Sequence, residues 1–139
     1  METCFICNKH KGIEAIPPGG YIYEDELWAI CHAPINVGPL GTIFIESKRH
    51  FLDFAEFNSE EQRSYGIVAS KVSAALKQLT DATRIYHLSM VEGIPHFHVW
   101  LIPRRKDVEE TSLAFLSRND SCSEEDAIAF ANQLRDLLK

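Results

Sequence analysis

The 139-residue sequence contains no run near the roughly 18 apolar residues that a membrane-spanning helix needs. Its start shows no basic segment followed by a long apolar stretch, the mark of a secretory leader. Both absences argue against a membrane protein and make the cytoplasm the expected location. Positive charge is also scarce. Fourteen Lys and Arg face twenty Asp and Glu, a net charge of −6. Gripping a nucleic-acid backbone needs a basic footprint, so nucleic acid is not an expected partner. A small phosphorylated ligand stays possible, because one local pocket can override the average. Internal repeats, low-complexity tracts and long linkers are missing too. With 45% hydrophobic and 24% charged residues, the chain can build a real core, and a single domain over residues 1–139 is expected.

The pattern of apolar residues predicts an α+β fold. Ile16-Pro17-Pro18-Gly19-Gly20 is a turn. Tyr21 to Tyr23 and Leu27 to Cys31 suit two short strands, joined by Glu24-Asp25-Glu26 as a hairpin turn. His32 to Leu40, with two prolines and a glycine, is a loop, and Gly41 to Ile45 a third strand. Ser59-Glu60-Glu61-Gln62 has the form of a capping box. The helix it opens lines up Tyr65, Val68, Ala69, Val72, Ala75, Leu76 and Leu79 on one face. Arg84 to Val91 and His96 to Ile102 suit strands, the latter stopped by Pro103. Ser123 opens a last helix, with Glu124, Glu125 and Asp126 at its positive end. The expected architecture is a mostly antiparallel five-stranded sheet with one long central helix and a C-terminal helix.

The segment that points to chemistry is Gly93-Ile94-Pro95-His96-Phe97-His98-Val99-Trp100-Leu101-Ile102-Pro103-Arg104. Side chains alternate along a strand, so His96, His98 and Trp100 share one face and Phe97, Val99 and Leu101 the other. Two imidazoles in succession on one face bind metal, handle protons or attack an electrophile. The plain alternative is two histidines on a solvated face with no task.

Cys4 and Cys7 are spaced as a zinc pair, and structural zinc needs two further ligands. His10, His32, His50, His87, His96 and His98 are available. His50 follows the third strand and His96 begins the histidine strand, so Cys4, Cys7, His50 and His96 form a candidate set. That set would fix His96 and leave His98 free for chemistry. A redox dithiol and a fortuitous pair are the competing readings of the cysteines. Cys31 and Cys122 stand alone and suit small apolar positions.

Cys4-Phe5-Ile6-Cys7, Gly41-Thr42-Ile43-Phe44-Ile45-Glu46-Ser47-Lys48-Arg49-His50 and His96-Phe97-His98-Val99-Trp100-Leu101-Ile102-Pro103-Arg104, in that order, resemble the zinc-containing members of the histidine-triad superfamily. The resemblance runs from Cys4 to about Arg104, leaving residues 105–139 as a C-terminal helical extension. It implies a homodimeric α+β fold and chemistry at the α-phosphate of nucleotides. It also implies His98 as nucleophile, with structural zinc on Cys4, Cys7, His50 and His96. Three positions depart from the pattern. Trp100 replaces the third histidine, Glu92-Gly93-Ile94-Pro95 replaces a phosphate-contacting Gly-Gln-Ser/Thr segment, and His32 stands about where many members have a ribose-binding aspartate. Pro95 and the missing third histidine are also similar to the galactose-1-phosphate uridylyltransferase branch.

The resemblance therefore implies a nucleotide phosphohydrolase or nucleotidyltransferase working through a nucleotidyl-histidine on His98. Backbone amides near Gly93 and the side chain of Arg104 would meet the developing charge. Trp100 either stacks on a base or simply fills the pocket. The alternative is a nucleotide-binding protein in which Trp100, unable to transfer a proton, has removed turnover. A metal-dependent hydrolase fits less well, since four protein ligands leave zinc no open position.

Overall fold

The computed structural model describes residues 3–139. A short helix, α1 (Phe5–His10), opens the chain and carries the second cysteine of the pair. Cys4 is its N-cap and accepts a hydrogen bond from the Cys7 amide. The strands are β1 (Tyr23–Glu24), β2 (Trp28–His32), β3 (Ile43–Ser47), β4 (Ala82–Leu88) and β5 (His98–Arg105). They form one antiparallel sheet in the order β1-β2-β3-β5-β4. The long helix α2 (Ser59–Thr80), a short α3 (Ser112–Leu116) and the terminal α4 (Glu124–Leu137) complete the main elements. The expected α+β architecture is the one observed. The helices α1 and α3 were not expected, because five or six residues are too few to show a helical period.

Several boundaries differ from expectation for identifiable reasons. The hairpin turn falls one residue late, over Asp25-Glu26-Leu27, because Asp25 Oδ1 accepts from the amides of Leu27 and Trp28 at 2.8 and 2.7 Å. Gly41 cannot start β3. It holds φ +92°, and a Cβ there would lie 3.0 Å from the ring of Phe130. The cap of α2 is Asn58, not Ser59. Asn58 accepts from the Glu61 amide at 2.9 Å, and Glu61 accepts from the Asn58 amide at 2.8 Å. Glu61 also receives Arg49 through two bonds, which explains why it and not Gln62 closes the box. His96 and Phe97 precede β5, and Pro103 does not stop it. The β3 pairing ends at Leu101, so Pro103 sits where only β4 remains alongside, paired at Ile85.

The period of two divides the sheet. Trp28, Ile30, Ile43, Ile45, Val99 and Leu101 pack under α2 and α4 in the main core. From α4, Phe130, Ala131 and Leu134 belong to that same core. Cys31, Phe44 and Trp100 cluster on the opposite face. Among the described residues no helix is long and apolar enough to cross a membrane.

Candidate metal centre and nucleophile pocket

The first cluster joins the N-terminus to the sheet. The donor atoms of Cys4, Cys7, His50 and His96 all lie within 4.8 Å of one another. His96 Nδ1 is 3.2 Å from Cys4 Sγ, 3.6 Å from Cys7 Sγ and 3.1 Å from His50 Nδ1, while Cys7 Sγ is 3.6 Å from His50 Nδ1. Tetrahedral zinc at about 2.3 Å from sulfur and about 2.0–2.1 Å from nitrogen puts its ligands about 3.3–3.8 Å apart. The donor set therefore fits zinc in type and in spacing.

The hydrogen bonds around the cluster support the same reading. His96 Nε2 is 2.7 Å from the Ser47 carbonyl, which can only accept. The ring proton therefore sits on Nε2, and Nδ1 presents its lone pair to the cluster. Burial, reinforced by the nearby His50 and His10 rings, lowers the His96 pKa and keeps the ring neutral. Burial and Cys4 raise the pKa of the Cys7 thiol. A bound cation reverses that preference, since a coordinating thiol is deprotonated outright. His10, the other histidine near in sequence, is not part of the set. Its Nε2 is 2.9 Å from Glu46 Oε1.

The second cluster lies on the open face of the sheet. His98 is 6% exposed, and its Nδ1 is 2.6 Å from the His96 carbonyl. By the same logic Nδ1 carries the proton and Nε2 is the free, nucleophilic nitrogen. Phe44 packs between His98 and Trp100, with ring centroids 5.8 and 5.2 Å away. His98 and Trp100 line a cleft of about 130 Å³ together with Phe44, Glu46, Lys9 and Ile94. Across Trp100 a wider cavity of about 380 Å³ is lined by Leu88, Met90, Leu113 and Phe115.

Directly opposite His98 in the β3–β5 register is Glu46, with no solvent exposure. Its Oε2 accepts from Lys9 Nζ at 2.6 Å, and its Oε1 from His10 Nε2 at 2.9 Å and the Tyr21 hydroxyl at 2.8 Å. The Cys31 thiol is 3.6 Å from Oε2. Burial would raise this carboxyl, but the bonds from His10, Lys9 and Tyr21 outweigh it and bring the pKa to about 2. Burial, then Glu46, pushes the Tyr21 phenol well above its usual range, so it stays a donor. The sequence reasoning missed Glu46, Lys9 and Tyr21. The available signal was a carboxylate directly after the apolar run Ile43-Phe44-Ile45, in the same strand.

The remaining candidates are dispersed. Arg104 shares the face of His98 but lies six residues along β5, about 20 Å away at strand rise. Its Nη1 donates to the Val108 carbonyl at 3.0 Å. Gly93 sits exposed in the loop between β4 and β5, and its neighbour Ile94 reaches the cleft. His32 faces the core, where Nδ1 is 2.8 Å from the Ala33 carbonyl and Nε2 accepts from the Gly41 amide at 3.0 Å. It holds the loop before β3 and lies on the opposite face from His98.

No family model and no curated protein matches the chain. Solved structures do. A hypothetical histidine triad nucleotide-binding protein of Sulfolobus tokodaii superposes with a TM-score of 0.75 at 21% identity, over 97% of this chain and 91% of that one. A zinc-bound histidine triad family protein of Mycobacterium smegmatis gives 0.73 at 20% identity, over 97% and 95%. A HIT family protein of Bacillus anthracis gives 0.67 at 20% identity, over 99% of both chains. The chain has the histidine-triad fold. Within the histidine-triad fold, β5 brings His98 beside the four-ligand cluster, and α1 brings Lys9 and His10 onto Glu46.

Proposed function

We propose that the protein is a nucleotide hydrolase or nucleotidyltransferase that works at an α-phosphate through His98. The observation that carries this reading is the bond from His98 Nδ1 to the His96 carbonyl at 2.6 Å, which leaves Nε2 as a lone pair toward the cleft. Nε2 forms a bond to phosphorus, and the bond from phosphorus to the leaving group breaks with its electron pair. Water or another acceptor then attacks phosphorus and gives up its proton to solvent, the nitrogen–phosphorus bond breaks with its electron pair returning to Nε2, and His98 is restored. Cys4, Cys7, His50 and His96 would hold zinc, which would supply rigidity and no chemistry. The His96 carbonyl orients the nucleophile.

Trp100 bears on the leaving group. Indole transfers no proton at neutral pH, so the departing group leaves unaided or takes a proton from water. Substrates with good leaving groups, such as phosphoramidates or adenylates of acidic partners, are the preferred class. Turnover of a nucleotide panel by wild type, His98→Ala and Trp100→His tests the reading. Expected results are loss of turnover in His98→Ala and gain on poor leaving groups in Trp100→His. The size of that gain is set by general-acid catalysis, about a hundredfold to ten-thousandfold. A folded Trp100→His protein that binds nucleotide without turnover, beside an equally inactive wild type, favours the second reading. In that reading the protein binds nucleotide and Trp100 has closed the catalytic route.

A further inference from the structure

We propose that Lys9 is the cation that binds the phosphate oxyanion in the His98 cleft, held in place by Glu46. The inference rests on the reading of His98 given above. Among the residues lining that cleft, Lys9 is the only Lys or Arg, and the other walls are mostly apolar. A cation beside any backbone amides stabilises a phosphate oxyanion at His98, and Arg104, the sequence's candidate, lies about 20 Å along the strand.

The Lys9 side chain is 8% exposed, and a lysine is rarely buried without a purpose or a partner. Glu46 is that partner, yet it does not use up the ammonium. The carboxylate is already served by His10, Tyr21 and the Cys31 thiol. It takes one Lys9 donor at 2.6 Å, and a second points to Cys31 Sγ at 3.8 Å. An ammonium has three donors, so one is left for a ligand. The ammonium lies 5.9 Å from the centroid of Phe44, the ring that also flanks His98. Lys9 and His98 thus line one cleft and flank the same ring. The position is set by α1, which the Cys4 and Cys7 ligands tie to the sheet two residues before Lys9.

Calorimetric binding of inorganic phosphate and AMP to the zinc-loaded protein tests this. Lys9→Met is expected to weaken both by about ten- to a hundredfold, the size of a hydrogen bond to a charged group. Lys9→Arg is expected to stay within a few-fold. Glu46→Gln, which removes negative charge beside the site, is expected to keep or tighten binding, whereas a purely structural pair would lose it in both variants. If Lys9→Met fails to fold, Lys9→Met/Glu46→Gln removes both charges together and is compared with Glu46→Gln alone. Equal phosphate affinity in those two proteins, or no phosphate binding by wild type, overturns the proposal. Turnover is measured alongside. Activity that needs His98 but not Lys9 defeats this inference alone. Phosphate binding that needs Lys9 without any turnover defeats the catalytic reading and leaves the inference standing.

Discussion

The two faces of the sheet are built from the same five strands and do opposite things. Under α2 and α4 the strands offer Ile30, Ile45, Val99 and Leu101, all 2% exposed or less, in a continuous apolar core. One residue over, the same strands offer Cys31, Phe44, Glu46, His98 and Trp100. The period of two lets a single stretch of backbone be framework on one face and candidate site on the other. The framework face needs only size and apolarity. The other holds a buried carboxylate kept in place by several hydrogen bonds and an imidazole oriented by one, to the His96 carbonyl.

The sharpest way to break this comparison is to change neighbouring residues on opposite faces. Phe97 has no exposure and packs on Phe51 and Phe57, so Phe97→Ala is expected to cost about 3–5 kcal/mol in urea unfolding. His98→Ala, one residue on, is expected to cost about 1 kcal/mol while removing the proposed chemistry. Equal losses of stability would show that both faces are framework. Next in size is the four-ligand cluster, which ties the N-terminal helix to the sheet. Cys7→Ser and His50→Ala are expected to lower zinc content and thermal stability together, because metal binding and folding are coupled. Full zinc retention in His50→Ala, with stability within about 0.5 kcal/mol of wild type, would remove His50 from the set.

The smallest effect concerns the carboxylate alone. Glu46 falls from an ordinary 4.5 to about 2 in the fold, so the unfolded chain binds its proton first. Its contribution is present above about pH 4.5 and is lost as pH drops toward 2. Stability measured by denaturant across that window is expected to fall more steeply in wild type than in Glu46→Gln. Parallel curves would mean that Glu46 is not the group responsible.

Much of the architecture was legible because it rests on periodicity. The apolar face of α2 and the alternation in β5 are patterns that packing could only confirm. Boundaries were less legible where long-range contacts decide them. Gly41 is excluded from β3 by Phe130, some 90 residues away in α4, and Asn58 displaces Ser59 as cap because Glu61 is held by Arg49. At the candidate site, Cys4, Cys7, His50 and His96 could be assembled from ligand type and spacing, and the structure brings all four together. The Lys9–Glu46–Tyr21 network could not, because three separated segments meet there and no spacing rule joins them. Arg104 shows the converse limit. Sharing a strand face with His98 says nothing about distance along it.

The tryptophans fall one on each face, and this gives the molecule two separate optical signals. Trp28 is wholly enclosed in the core, its indole N–H bonded to Ser64 at 2.8 Å. Trp100 is only half-buried and borders the His98 cleft. A soluble quencher reaches the second and not the first. With Trp28 replaced by Phe, the remaining emission reports on events at the cleft. With Trp100 replaced instead, it reports on the integrity of the fold, so ligand arrival and unfolding can be followed in one sample chemistry without an added dye.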